Sequence, residues 1–404
     1  MEYITLPVEG NVVQGFSQEQ THSLYEICKH IVEKRAARGK QYDLSGLLMV
    51  LRLAKLAGMK SLGGASDWVR DQAEQLCEHL KLSWKRMPCA NTYTYALARL
   101  DSQCITEQFR DWLVRKEAES RCGTEPSRLA AQTDQRAVHV AIDGKVLKGT
   151  GKQVYGGEKP QKHVLHVYEV QTGIVLHQCP IAEKQHEVSA LKPLLTEVLC
   201  KGRMLTADAA QRSHECGRLV TRAGGDVILM VKDKTPLTRA DLELFCEDPK
   251  ADRSTWHSSE QVEKGHGRLE KRQLLTPPDL NEYLTREWGE VGQVFRLQRE
   301  RKTPEKSSVE VVYGLATLSL VQCSAQRLFQ LIRDHWAVEH RRHGRRDVTL
   351  GEDRCGVRVP PVAQMLAVLH ALVLSLMDVH RVSHVARQIR RFASHPDEAL
   401  AWLL

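Results

Sequence analysis

In the stretch AIDGKVLKG, Ala141–Gly149, an acid stands between an apolar run and two lysines. Val138, Val140, Ala141 and Ile142 predict a buried strand; Asp143 ends the run, and Gly144, Lys145 and Lys148 follow. A carboxylate at the tip of a strand, beside flexible basic residues, can hold a divalent cation against a phosphate. The same Asp-Gly pair also suits a turn closing a hairpin. Two more acids make the chemical reading worth pursuing. Asp208 ends the strand-like run GRMLTADAA, Gly202–Ala210, where it could instead cap the helix that follows. Glu339 lies in the helix-patterned SAQRLFQLIRDHWAVEHRRHG, Ser324–Gly344. His335 at i−4, Arg342 at i+3 and His343 at i+4 share its face, and Arg346 joins them only if the helix outlasts Gly344. Ordinary ion pairing is the other reading of Glu339. Three such acids could hold two divalent ions about 4 Å apart, activating a water or a 3′-hydroxyl and stabilising the leaving oxygen of an in-line displacement.

Charge and composition narrow the partners. The chain has 404 residues, a formal net charge of +8 and 42% hydrophobic residues, enough for two or three domains with substantial cores. The basic excess suits a polyanion, and it is concentrated. Arg333, Arg341, Arg342, Arg345 and Arg346 fall in one short span with His335, His340 and His343. Eleven scattered cysteines with no CxxC pair indicate neither a zinc ribbon nor a disulfide framework, and suit a reducing cytoplasm. The N-terminus has no basic segment leading into an apolar core, so no signal peptide is read. Val362–Met377 is apolar but short for a membrane span and is expected to be a buried helix.

The elements that must position the acids follow from periodicity. Ser17 to Lys116 reads as helical. SQEQ at Ser17–Gln20 has capping-box form. Asp43 is expected to cap Leu44–Ala57, Ser66 or Asp67 to cap a third helix, and Asn91 a fourth, with Pro88 in the loop before it. This all-α region is a packing module or a helix-turn-helix-like DNA reader. Polar residues with Gly123 and Pro126 then suggest a linker. AVHVAID, KHVLHVYEV (Lys162–Val170) and IVLHQCPI (Ile174–Ile181) read as strands, the last two joined by the turn Gln171–Gly173. A helix over Glu183–Leu199, a strand ending at Asp208, a helix over Gln211–Gly224 and a strand over Asp226–Lys232 complete the order β-β-β-α-β-α-β. That order is ribonuclease-H-like, and it sets the first and fourth strands, with their acids, side by side. Residues from about 234 to 310 read as a β-rich insertion, with strand candidates at RLEKRQLL and QVFRLQRE; Val311–Leu318 resumes a buried strand. The fold class is therefore α/β (α+β): a mixed sheet with flanking helices and a β-rich insertion, after an all-α N-terminal domain. The expected limits are 1–118, a linker at 119–135, a catalytic domain at 136–360 and C-terminal helices at 361–404.

With these motifs in order, the sequence resembles the H-repeat-associated subgroup of insertion-sequence DDE transposases, over nearly its whole length. AIDGKVLKG resembles the first-aspartate motif, and TADAAQ carries the second, Asp208. EKQHEVSALKPLL, with Lys184 and Glu187, matches the segment before it. EKGHGRLEKR, Glu263–Arg272, matches a signature in the insertion. RDHWAVEHRRHGRRDVTLGED matches the C-terminal signature and makes Glu339 the third acid, with Glu352 and Asp353 as runners-up. The resemblance implies a Mg2+-dependent enzyme that uses two ions, with Mn2+ able to substitute. It would nick double-stranded DNA at element ends and transfer strands into target DNA, acting in the bacterial cytoplasm, on the nucleoid, as a homodimer or higher when ends are paired, and without a membrane. Asp143, Asp208 and Glu339 would carry the metals. Lys145, Lys148, Lys184, His266, Arg268, Arg333, His335, Arg342 and Arg346 would contact DNA. Two departures stand out: VEH followed by RHG puts Gly344 where the family has an aromatic, and Lys232-Asp233-Lys234-Thr235 replaces a Lys-x-Asn-Gln pattern. A catalytically silent DNA-binding protein derived from a transposase, and a metal-dependent nuclease of the same fold, are the alternatives.

Overall fold

Caps and prolines cut the chain into short elements. The computed structural model describes residues 23–404 apart from 37–39, 123–137, 152–161, 182–186, 208–212, 232–234 and 266. Helices α1 (Leu24–Lys29), α2 (Leu44–Leu56), α3 (Leu62–Asp71), α4 (Ala73–Leu80), α5 (Ala90–Leu97) and α6 (Ser102–Cys122) precede strands β1 (Val138–Leu147), β2 (Lys162–Glu169) and β3 (Val175–Ile181). Then come α7 (Glu187–Leu191), α8 (Glu197–Cys200), β4 (Arg203–Ala207), α9 (Ser213–Arg222), β5 (Asp226–Val231) and α10 (Pro236–Glu247). β6 (His257–Gly265), β7 (Arg268–Thr276), α11 (Asn281–Trp288), β8 (Gln293–Lys302) and β9 (Ser307–Ala316) lead to α12 (Ala325–Gly344), α13 (Pro360–Val379), α14 (Val385–Ser394) and α15 (Pro396–Leu403). The chain forms two compact units, Met1–Asp134 with Gly144–Glu183 and Glu339–Leu404, and Gln135–Asp143 with Lys184–Val338.

The first unit is built on two apolar helices. Asp43 caps α2, its carboxylate accepting from the Gly46 N–H at 2.6 Å, and every residue of that helix is buried. Helix α13 is long and apolar enough to cross a membrane, but 89% of its most apolar window is buried inside the protein, so it is a core helix as expected. It packs with α6 and β3. β2 and β3 pair as the expected hairpin, and Gly173 takes the left-handed conformation its turn requires, at φ +70°.

The second unit is a sheet of order β1-β4-β5-β9-β8-β7-β6. β1, β4 and β5 are parallel, and the strands from β5 onward alternate. Paired residues run in one row across five strands: Ile142, Ala207, Leu229, Leu315 and Val294. Side chains alternate along a strand, so this register carries one face from His139 and Thr206 through Ile228 and Met230 to Phe295 and Leu297. That face packs under the first part of α12, through Leu328, Phe329, Leu331 and Ile332. Gly314 permits the close packing: a Cβ there would meet the Phe295 ring at 2.2 Å.

Several local expectations are corrected. Ser61, not Ser66 or Asp67, caps α3, its hydroxyl accepting from the Gly64 N–H at 2.9 Å. The Ser66 hydroxyl donates instead to the Pro88 carbonyl. Cys89 stands at the N-cap of α5, not Asn91. The helix expected over Glu183–Leu199 is broken around Pro193, whose ring cannot sit in a helix interior, into α7, a 3-10 turn and α8. Helix α6 runs on to Cys122 into the stretch read as linker. Gly344 does not end α12; a wide turn over Arg345–Thr349 continues it, with the Leu350 N–H donating to the Arg345 carbonyl. SQEQ lies outside the described residues.

Candidate active site and the polar clusters of each unit

Strand β1 does not turn at Asp143-Gly144. It continues to Leu147, which rules out the hairpin-turn reading of that pair. Asp143 is half-buried and follows Ile142, whose parallel partner is Ala207. Asp208 lies outside the described residues, as do Lys184 and His266. Glu339 is a helical position of α12, and its side chain is likewise outside the description. Among the described residues, no three His, Cys, Asp or Glu side chains form a metal-sized group.

In the second unit a buried polar chain lies two residues before Asp208. Thr206 Oγ1 is 2.8 Å from His139 Nε2 and 2.9 Å from His335 Nδ1. All three are nearly inaccessible to water. Burial, with His335 and Arg327 nearby, pushes the His139 pKa down to about 3, so that imidazole is neutral. The bond from Thr206 ties α12 to β4. Arg333, six residues before Glu339 in the sequence, is hydrogen-bonded to Gln261 and to Glu263 at 2.6 Å. Arg268 is 3.0 Å from Glu270.

In the first unit the basic residues read as DNA contacts are held by acids. Lys145 is buried and bonds Asp347 at 2.6 Å; Lys148 is exposed and bonds Asp353 at 2.5 Å. Arg342 is buried against Tyr168, with Ser375 and Asp378 each 3.4 Å away. The wide turn after Gly344 delivers Arg346 inward, where it grips Glu352 with two bonds of 2.7 and 2.8 Å and meets His166 at 2.6 Å. His370 adds a third contact to Glu352 at 3.0 Å. Burial alone would raise the Glu352 pKa, but Arg346 and His370 outweigh it and hold the carboxyl well below the usual range. Both oxygens of this runner-up third ligand are thus engaged inside the protein.

Reading the sequence missed His139, Thr206 and Glu270. The signal was period two: His139, Ala141 and Asp143 alternate on β1, and Arg268, Glu270 and Arg272 on β7.

Comparison with known proteins decides the family. Residues 134–376 match the model described as Transposase DDE domain, and residues 25–113 match the DDE_Tnp_1-associated model. The chain belongs to the DDE transposase family. Within it, the relatives place the protein with the H-repeat-associated group. It is 27% identical over 367 residues to the Escherichia coli (strain K12) protein named "H repeat-associated putative transposase YhhI", covering 87% of this chain and 90% of that one. It is 24% identical over 387 residues to YbfL of the same strain, covering 92% and 94%. A piggyBac transposase synaptic complex with hairpin DNA overlaps 95% of this DDE transposase and 79% of that chain, at 12% identity and a TM-score of 0.41, a likeness too loose to carry weight. DDE domains generally use divalent metal ions, and their family chemistry is that of transposition.

Proposed function

We propose that this DDE transposase binds double-stranded DNA at element ends and cleaves and joins it, with Asp143, Asp208 and Glu339 as the metal-holding acids. The observation that supports this most is the parallel pairing of Ile142 with Ala207, each the residue before an aspartate. Paired strands lie about 4.8 Å apart, so the residues that precede the two acids are neighbours across the sheet. Thr206 and His335 add a second support. Asp208 comes two residues after Thr206, and Glu339 four after His335. That bond fixes β4 to the first part of α12 within the second unit, just before each acid in the chain.

Three carboxylates are hard oxygen donors and fit Mg2+, with Mn2+ as a substitute, better than a soft metal. Ions held there supply activation of the attacking water or 3′-hydroxyl and charge stabilisation at the leaving oxygen. The chain's own part is positional: the Thr206 hydroxyl fixes β4 to α12, and the neutral His139 adds no charge beneath the acids. Glu352, gripped by Arg346 and His370, is not free to serve, which favours Glu339. Pairing of ends calls for a homodimer or larger assembly acting on DNA in the cytoplasm.

The test is a purified full-length protein with labelled duplex taken from the DNA flanking its gene, in Mg2+ and in Mn2+. Nicking and joining that vanish in Asp143→Ala, Asp208→Ala and Glu339→Ala are expected. Binding without nicking in either metal would make the protein a silent binder, and nicking without joining a nuclease.

A further inference from the structure

The outer part of the second unit's sheet carries an unbalanced charge cluster. Glu270 on β7 is only 3% exposed, yet no apolar side chain need account for that, because four guanidiniums surround it. Arg268 lies 3.0 Å away, Arg301 3.0 Å and Arg299 3.4 Å, and Arg272 bonds the other carboxylate oxygen. The register explains the crowding. Arg272 pairs with Arg299 and Glu270 with Arg301, so all of them share a face. Like charges directly opposite repel, and Glu270 between them offsets that. Burial raises its pKa, but the arginines outweigh it and keep it ionised.

One carboxylate cannot satisfy four arginines. A carboxylate offers about four acceptor sites, and four guanidiniums about twenty N–H donors. Glu263 takes one bond from Arg272 and one from Arg333 of α12, and Glu310 lies 3.6 Å from Arg299. Arg299 Nε is still buried without an acceptor among the described residues. Among the described residues the face thus holds five arginines against three glutamates, Arg268 and Arg301 being 43% and 39% exposed. The opposite face of the same strands is different: Lys271 pairs Glu260 and Lys302 pairs Glu300, each at 3.0 Å.

Position adds to charge. β8 runs in the same direction as β1, β4 and β5. Ile142 and Ala207 share a register row with Val294, so Arg299 and Arg301 stand five and seven residues past that row, about 16 and 23 Å further along β8. The arginine face is the α12 side of the sheet, the side of His139 and Thr206.

We propose that the face formed by Arg268, Arg272, Arg299 and Arg301 is a seat for the sugar-phosphate backbone of duplex DNA, with Glu270 as the positioning residue that gathers the four guanidiniums. This rests on the reading of the protein as a DNA-acting transposase. Phosphate oxygens supply the acceptors that the cluster lacks, in the bidentate geometry guanidinium prefers. DNA seated there runs past the row of Ile142 and Ala207, the residues that precede the first two acids.

The experiment is duplex binding by full-length protein at several salt concentrations, using the gene-flanking duplex. Arg268→Ala/Arg301→Ala removes two exposed side chains, and its thermal melt is measured alongside. The expected result is a Kd about tenfold weaker in 0.1 M salt and a salt slope smaller by about 2, one counterion-releasing contact per arginine. Glu270→Gln should keep the slope and weaken binding less than threefold, because the arginines remain but lose their common anchor. An unchanged Kd and slope in a folded double variant overturns the proposal. If the double variant melts early, Arg268→Lys/Arg301→Lys serves: retained slope with weaker binding supports the seat, and identical binding overturns it. Wild-type protein that binds no duplex overturns the DNA reading itself, and this proposal with it.

Discussion

Two buried glutamates in this DDE transposase are surrounded by the same residue types and end in opposite states. In the first unit, Glu352 meets one arginine, which grips it with two bonds, and His370 completes the cluster. Arg346 is 3% exposed, and its fork is spent on Glu352 and His166. In the second unit, Glu270 meets four arginines on strands with solvent beyond them. The first cluster is closed: both Glu352 oxygens and the Arg346 fork are engaged inside the protein, and the group locks the turn after α12 to α13. The second is open: donors exceed acceptors, and the surplus faces out. Buried charge by itself therefore says little about function, and the count of donors against acceptors says more.

The comparison is broken most directly by removing each acid. Glu352→Ala should cost about 3–5 kcal/mol, because it leaves Arg346 buried without its partner. Glu270→Ala should cost about 1 kcal/mol, since its arginines can turn to water. Urea unfolding followed by circular dichroism measures both, and equal losses would erase the distinction between closed and open clusters. Next in size is the polar chain in the second unit. Thr206→Val leaves His139 Nε2 and His335 Nδ1 without their shared hydroxyl and should cost about 2 kcal/mol, whereas Thr206→Ser keeps it. The valine variant should also lower kcat for nicking with KM for DNA unchanged; a matching loss in both would mean general damage rather than a misplaced α12.

That chain sets a pH dependence with a definite sign. His139 is held down to about 3 when folded, and an unfolded histidine titrates near 6.5. Below about 6.5 the unfolded state takes up a proton that the folded state refuses. Stability is therefore full above that pH and falls as acid is added, by up to about 1.4 kcal/mol per pH unit, until the folded pKa is reached. His139→Asn should flatten stability between pH 4 and 6.5. The same slope in wild type and variant would place the titrating group elsewhere.

How much of this could be read beforehand depended on the distance between partners. The five leading strands, the Asp43 cap and the buried α13 follow from local pattern, and local pattern is written in neighbouring residues. Helix α10, α11 and strand β6 were not read, because β6 carries polar and charged residues on both faces and shows no apolar alternation. The side chains of Lys145, Arg342 and Arg346 looked like surface cations. Their partners Asp347, Asp378 and Glu352 are assigned by the fold, and Lys145 and Asp347 stand 202 positions apart. The turn after Gly344 failed differently. A glycine there signals a helix end, but its φ of −58° is helical and the chain widens rather than stops. The Arg268-x-Glu270-x-Arg272 alternation was legible as one strand face, and the two arginines of β8 that make it unbalanced were not.

The smallest expected effect tests the open cluster from behind. Lys271 and Lys302 lie on the same strands as the arginines, within one strand's thickness of them, but on the opposite face. A general attraction to polyanions would involve both faces, because screening acts over about 10 Å at 0.1 M salt and the sheet is thinner than that. A seat made by directed guanidinium bonds would not, since each lysine already has its own glutamate at 3.0 Å. Lys271→Ala/Lys302→Ala should therefore change duplex Kd by less than about twofold and leave most of the salt slope intact. A loss as large as that of the arginine pair would mean that net charge, not the arrangement around Glu270, draws DNA to this sheet.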